Sequence, residues 1–136
     1  MHHAIILAAG EGKRLKSKEN KMLISAGGHP LIYYSVMAFN DHPDIDSITV
    51  VCSKSNKSQI EEIIKLYRFS KVKQALIGSS TRQRSLEKGL QAIEKIAKKD
   101  DIIAVCGKGH EKSMNFNGIE MPWSDKEKIL KIIKKL

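Results

Sequence analysis

Four short apolar runs alternate with segments of helical periodicity, and this alternation limits the fold more than any other feature. The runs are rich in β-branched and small apolar residues, as expected of strands that are buried on both faces. The predicted strands are 4–9, 47–52, 72–77 and 102–106, and the predicted helices between them are 30–39, 56–67 and 80–97. The alternation predicts an α/β fold of three layers, in which a mostly parallel sheet carries helices on both faces.

Local signals support these boundaries. Pro30 suits the first turn of a helix, because a proline there loses no hydrogen bond. Ser80 and Gln83 form a capping-box pattern, which predicts that Ser80 caps the third helix. After the fourth strand the pattern changes to a polar, glycine-rich stretch, a short predicted strand within 118–123 and a final basic helix that Ser124 caps.

Length and composition indicate one compact domain. The chain has 136 residues, of which 41% are hydrophobic and 29% are charged, a composition typical of globular proteins. No apolar run reaches the roughly 20 residues that span a bilayer, and the first residues lack the pattern of a secretory signal. We therefore expect a cytoplasmic protein without membrane contact, in which Cys52 and Cys106 are reduced.

The net charge of +9 favours an anionic partner. A basic surface attracts polyanions and phosphorylated small molecules. Aromatic residues make up only 5% of the chain, which gives few stacking surfaces for bases, and no helix-turn-helix or Cys/His finger pattern occurs. We therefore rank nucleic acid below a phosphorylated small molecule. On charge alone, a solvated lysine-rich surface without a partner is an equal alternative.

The segment after the first predicted strand carries the strongest functional signal, because residues 7–14 read LAAGEGKR. Glycines directly after a buried strand let backbone N–H groups approach an anionic ligand. Arg14 can bind phosphate oxygens through two hydrogen bonds, and Lys21 adds a mobile positive charge. The P-loop motif is absent, because Arg14 stands where it needs Ser or Thr. The dinucleotide motif is also absent, because Leu15 stands where it needs Gly. A flexible basic connection without a ligand is the alternative.

Three segments resemble the sugar-nucleotide and cytidylyl nucleotidyltransferases. AAGEGKR at 8–14, with Lys21, is similar to their A-A-G-x-G-x-R…P-K signature, and GGHPLI at 27–32 is similar to the segment that follows it. GSSTRQRS at 78–85 resembles the G-G-x-x-R-x-x-S segment of the 2-C-methyl-D-erythritol 4-phosphate cytidylyltransferase family. The resemblance covers about residues 3–95 and implies a truncated, Rossmann-like nucleotidyltransferase fold.

The resemblance also implies roles for the matching residues. Arg14 and Lys21 are the implied catalytic residues, whose charges would stabilise the transition state of CMP transfer. The residues implied to bind the nucleotide are Ala8, Ala9, Gly10, Gly12, Gly78, Ser79, Ser80, Arg82 and Ser85. Without the resemblance, Ser80 would be only a helix cap and Arg82 a surface residue. The implied partners are CTP and a phosphorylated small-molecule acceptor.

Two departures from the family pattern stand out. Asn20 replaces the proline before the lysine, which we expect to loosen the loop. The family's aspartate at the end of the fourth strand is absent, since Cys106 and Gly107 stand there. The later parts of the family pattern, including the arm that dimerises, are also absent from the sequence. A homodimer is therefore left as an open alternative.

The missing aspartate binds Mg²⁺ in the family, and Mg²⁺ is the cofactor that the resemblance implies. Asp100, Asp101 and Glu111 could act as substitute ligands, since Mg²⁺ often needs only one or two carboxylates beside substrate phosphates. The two aspartates, however, precede the fourth strand and lie at its wrong end. The five histidines show no metal-ligand spacing, so the metal ligands are left unassigned.

The last part of the chain has a resemblance of its own. DIIAVCGKGHE at 101–111 and PWSD at 122–125 are similar to the C-terminal end of the Mur ligases that add the third peptide residue to UDP-MurNAc-dipeptide. The motif residues are Gly107, Lys108, Gly109, His110 and Glu111. The resemblance implies that Gly107 and Glu111 contact a diamino acid, whereas the alternative is a glycine-rich turn with solvated charges. The P-loop of these ligases is absent, so ligase activity is not expected.

Together the resemblances predict a composite chain. Residues 1–98 would form the nucleotidyltransferase-like segment, and residues 99–136 a Mur-like strand, loop and helix packed in the same domain. The predicted activity is CMP transfer from CTP to 2-C-methyl-D-erythritol 4-phosphate, a step of isoprenoid precursor synthesis, impaired by truncation. The alternatives are a non-catalytic nucleotide-binding remnant and a Mur-ligase-related module of peptidoglycan synthesis.

Overall fold

The computed structural model describes residues 1–10, 19–106, 113–116, 118–122 and 124–134. In chain order the elements are β1 (His2–Ala8), a 3₁₀ turn (Lys21–Leu23), β2 (Ser25–Ala26), β3 (His29–Pro30), α1 (Leu31–Asn40), β4 (Ser47–Cys52), α2 (Lys57–Leu66), β5 (Val72–Ile77), α3 (Arg82–Glu94), β6 (Ile102–Cys106), β7 (Ser113–Phe116), β8 (Ile119–Pro122) and α4 (Asp125–Ile133).

Four of these strands form one parallel sheet in the order β5-β4-β1-β6. Ala8 is paired with Cys52, and Cys52 with Ile77, so three strands end side by side. On the other side of β1, Ile6 is paired with Cys106. The predicted parallel sheet is confirmed, and its carboxyl edge gathers the loops that follow β1, β4 and β5.

The side chains of β1 alternate between two cores, one on each face of the sheet. Ala4, Ile6 and Ala8 are buried on the face that α1 and α2 cover. Ile5 is buried on the opposite face, against Leu86 and other residues of α3. This alternation makes residues 4–8 of the central strand apolar, and it confirms the helices on both faces.

The helix starts differ from the sequence predictions by one residue. Thr81, not Ser80, caps α3, because its hydroxyl accepts a hydrogen bond from the Arg84 N–H at 3.2 Å. Pro30 precedes α1 as its extended N-cap residue and does not lie in the first turn. Ser124 does cap α4, with the Glu127 N–H 3.3 Å from its hydroxyl.

Several short elements were not predicted. β2 and β3 form a hairpin through Gly27 and Gly28, whose φ values of +58° and +85° both lie in the region that favours glycine. β7 pairs with β8 in a second hairpin, in which β8 confirms the short strand predicted within 118–123 and β7 was not predicted. Among the described helices, none combines the length and apolarity needed to cross a membrane.

Candidate functional site

The loop between β5 and α3 packs directly against the end of β1. The Gly78 N–H donates to the Cys52 carbonyl at 2.8 Å, which extends the pairing of β5 and β4 by one residue. A Cβ atom on Gly78 would stand 3.1 Å from the Ala9 Cβ and 2.9 Å from Val51 Cγ1. The two segments that carry the family resemblance therefore meet at one edge of the sheet, although they are some 70 residues apart in the sequence.

Ser85 holds the shape of this loop from within. Its hydroxyl accepts a hydrogen bond from the Ser79 N–H at 2.9 Å, and it lies 2.9 Å from the Thr81 carbonyl and 3.2 Å from the Ser79 carbonyl. Ser85 is buried, whereas Ser80 is exposed and Ser79 and Arg82 are half-buried. The geometry gives Ser85 a structural role, and direct contact of these four residues with a nucleotide stays a prediction.

Lys88 is a cation at this edge that sequence reasoning missed. Its ammonium group donates to the carbonyls of Gly78 at 2.9 Å and Ile77 at 3.3 Å. Ile77 is the last residue of β5 and Gly78 is the first residue of the loop, so the Lys88 charge lies beside the backbone where the loop begins. The only sequence signal is its position in the predicted helix six residues after Arg82, which does not distinguish it from other surface lysines.

Asn56 is a second residue that the sequence did not reveal. Its side chain is fully buried at the start of α2, and its amide nitrogen donates to the Ala8 carbonyl at 2.9 Å. The side-chain oxygen accepts from the Ser53 N–H at 2.8 Å. Asn56 therefore joins the loop after β4 to the last residue of β1.

Lys21 lies at the start of the 3₁₀ turn and is exposed. Asn20 precedes it with φ −64°, the value that a proline would impose, and its side chain accepts from the Met22 N–H at 3.0 Å. Asn20 therefore keeps the extended backbone of a proline and caps the turn, and the expectation that it loosens the loop stays a prediction.

Several predicted site residues lie outside the described residues. Gly12 and Arg14 belong to the stretch 11–18, and the Mur-like motif residues Gly107, Lys108, Gly109, His110 and Glu111 belong to 107–112. The described part of the first loop is Ala8, Ala9 and Gly10, which run from a buried to an exposed position.

Asp101 lies at the amino edge of the sheet, opposite the candidate site. Hydrogen bonds from the Met1 amino group, from the Lys98 N–H and from the His3 ring hold the pKa of the Asp101 carboxyl well below its usual range. His3 also contacts the Ser47 hydroxyl at 2.6 Å. Because Ser47 is buried, this serine–histidine–aspartate chain ties strand ends together and offers no accessible nucleophile.

Both cysteines are free thiols. Burial, with a smaller effect of Glu61, raises the pKa of Cys52 from 9.0 to about 11, and burial also raises the pKa of Cys106. Neither thiol is therefore activated as a nucleophile near neutral pH.

Comparison with known proteins agrees with this geometry. The family model of 2-C-methyl-D-erythritol 4-phosphate cytidylyltransferase matches residues 2–105, which include both loop segments and the whole four-stranded sheet except Cys106, the last residue of β6. The chain belongs to this family. The match to the cytidylyltransferase family ends before Gly107, and the resemblance of the last segment to Mur ligases stays a prediction.

Curated relatives carry the same family name. The 2-C-methyl-D-erythritol 4-phosphate cytidylyltransferase of Clostridium kluyveri is 38% identical over 94 residues, which are 68% of this chain and 41% of that protein. The one of Clostridium acetobutylicum is 40% identical over 95 residues, which are 69% of this chain and 42% of that protein. The chain thus spans about two fifths of the length of these cytidylyltransferases.

A solved structure shares the fold. The 4-diphosphocytidyl-2C-methyl-D-erythritol synthase of Anaerococcus prevotii superposes with a TM-score of 0.57 and 24% identity, over 98% of this chain and 49% of that one. The similarity supports the nucleotidyltransferase-like arrangement of a parallel sheet between helices.

Proposed function

We propose that the chain binds CTP at the carboxyl edge of the sheet, between Ala8–Gly10 and Gly78–Ser80, and transfers CMP to 2-C-methyl-D-erythritol 4-phosphate. The observation that carries this proposal is the close approach of Gly78 to Ala9, because it joins the two family segments into one surface. Family membership supports the choice of nucleotide and acceptor.

The proposed reaction is a displacement at the α-phosphorus of CTP. A phosphate oxygen of the acceptor forms the new P–O bond, the bond to the β-phosphate breaks, and pyrophosphate leaves with the electron pair. Arg14 and Lys21 would stabilise the added negative charge, since preorganised cations act where charge develops in a transition state. Backbone N–H groups of the first loop and the Gly78–Ser80 loop, with Arg82 and Ser85 behind them, would position the nucleotide.

Mg²⁺ is proposed as the cofactor on the family resemblance alone. Among the described residues there is no group of three His, Cys, Asp or Glu side chains that could hold a metal ion, and Asp101 lies at the opposite edge, so the ligands of the ion stay unassigned. The mechanism is therefore written without a step through the ion.

A non-catalytic nucleotide-binding role is the second candidate. Cys106, a neutral thiol with a raised pKa, ends the strand at which the family pattern has an aspartate. A steady-state pyrophosphate-release assay with CTP and 2-C-methyl-D-erythritol 4-phosphate separates the two roles. Turnover supports the transferase, whereas CTP binding without turnover supports the second role.

Calorimetry with CTP tests the site itself. The variant Arg14→Ala, Lys21→Ala should lose binding by at least tenfold, because two phosphate-binding charges are removed. The matched control is Lys65→Ala, Lys95→Ala, which removes the same net charge from exposed positions at the far ends of α2 and α3. If both double variants bind CTP alike, general charge explains the binding and the proposed site is wrong.

We further propose that residues 99–136 form a Mur-like segment within the same domain, since β6 pairs with β1 along its length. This segment would dock on cell-wall precursors or on a ligase partner, and a pull-down that survives Glu111→Ala would refute that role. Cytoplasmic location is proposed on the family resemblance and can be checked by cell fractionation, while a homodimer stays an open alternative that sedimentation decides.

A further inference from the structure

The Asn56 side chain makes two hydrogen bonds, and neither of them caps its own helix. An asparagine is seldom fully buried unless its amide is bonded. As an N-cap residue it would ordinarily accept a hydrogen bond from a backbone N–H in the first turn of its helix. The Asn56 side chain makes no such bond to α2. Both of its polar atoms are used instead on other segments, Ser53 and Ala8.

These two contacts require an amide at this position. One atom must accept from the Ser53 N–H, at 2.8 Å, while another donates to the Ala8 carbonyl, at 2.9 Å. A carboxylate has no donor, and a serine hydroxyl is too short and has only one oxygen. Of the common N-cap residues, asparagine alone meets both requirements and still begins a helix well.

The contact with Ala8 has a directional consequence. The Ala8 carbonyl and the Ala9 N–H belong to one planar trans peptide group, so they point in opposite directions. By holding the Ala8 oxygen, Asn56 also sets the direction of the Ala9 N–H. That N–H is the first donor of the loop proposed to bind CTP, and Ala9 is the residue that Gly78 faces.

We propose that Asn56 is a positioning residue for nucleotide binding, which acts by fixing the peptide between Ala8 and Ala9. This inference rests on the proposed function. Asn56 lies on a different segment from the family motifs and does not contact the nucleotide.

The main test is Asn56→Ser, compared with Gln74→Leu as a matched control. Serine keeps an N-cap residue for α2 but does not reach Ala8. Gln74 of β5 donates a 3.1 Å hydrogen bond to the Thr49 hydroxyl of β4, away from the loop ends. We expect about tenfold weaker CTP binding for Asn56→Ser, measured without urea after urea titration has shown that both variants are folded, whereas Gln74→Leu should bind CTP as the wild type does. Equal CTP affinity of the two variants overturns the proposal.

Asn56→Asp provides a rescue experiment. At pH 8 the introduced carboxylate faces the Ala8 carbonyl without a donor, and CTP binding should be weak. Burial raises the pKa of such a carboxyl, so lowering the pH to 5 increases the protonated fraction, which regains a donor, and binding should recover relative to the wild type at the same pH. Lack of recovery in a folded variant contradicts the proposed role.

The positioning role of Asn56 can also be tested without nucleotide, in case the proposed function is wrong. If the wild type does not bind CTP, the proposed function is refuted, and ¹⁵N relaxation of Ala9 and Gly10 without nucleotide decides the positioning role. Greater mobility of these amides in Asn56→Ser than in Gln74→Leu supports it, and equal mobility overturns it.

Discussion

Gly78→Ala tests the packing that brings the two loops together. A Cβ at Gly78 would stand 2.7 Å from the Ser85 hydroxyl and 2.9 Å from Val51 Cγ1, and the φ of Gly78 lies outside the left-handed region, so steric contact alone opposes the substitution. Overpacking of this kind costs about 1–3 kcal/mol. Displacing the Ser85 hydroxyl from the loop backbone adds about 1 kcal/mol. We therefore expect the free energy of unfolding to fall by about 2–4 kcal/mol.

Urea unfolding measures this effect. The midpoint should fall by roughly 1–2 M with an unchanged slope, and CTP binding should weaken in parallel. Gly10→Ala is the control, because a Cβ there meets no atom of the described residues within 4 Å and should change the free energy of unfolding by less than about 0.5 kcal/mol. In a Ser85→Ala background, Gly78→Ala should cost less, since one of its two closest contacts is gone. Coinciding midpoints for Gly78→Ala and Gly10→Ala would refute the packing argument.

Three further predictions concern stability. Thr81→Ala should lower the free energy of unfolding by about 1 kcal/mol, whereas Ser80→Ala should leave it nearly unchanged, as urea titration of the two variants can show. The raised pKa of Cys52 means that the unfolded thiol loses its proton near pH 9.0 and the folded one near pH 11, so stability should fall as pH rises between these values, by at most about 1.4 kcal/mol per pH unit. Thermal melts of Cys52→Val should lack this component, and an unchanged alkaline slope would contradict it. The lowered pKa of Asp101 contributes stability above pH 3.8 that is lost as pH falls through the folded pKa, so acid unfolding of Asp101→Asn should depend less on pH than that of the wild type.

The central architecture was predictable because its signals are local. Three of the predicted strands, 47–52, 72–77 and 102–106, have the same bounds in the structure. Each is a run of β-branched or small apolar residues, and burial on both faces of a parallel sheet demands that composition. The handedness of the connections then leaves few topologies. The strand ends, and so the edge where a ligand would bind, follow from the same reasoning.

Boundaries that depend on distant contacts were not predictable. Ser80 and Thr81 are both good N-cap residues, and the choice between them is made by Ser85, whose hydroxyl bonds the backbone at Ser79 and Thr81. The β7–β8 hairpin has only weak alternation in its sequence, and its pairing partner is not indicated by any local pattern.

By itself, then, the sequence determined the sheet, the loops at its carboxyl edge and the family, since apolar periodicity and short motifs act over neighbouring residues. Only the tertiary structure showed that Asn56 donates a hydrogen bond to Ala8, that Lys88 donates one to Gly78, and that Asp101 contacts His3 at the opposite edge of the sheet. These contacts join residues from 10 to 98 positions apart. A hydrogen bond depends on distance and direction in space, and the folded chain establishes both when the strands come into register.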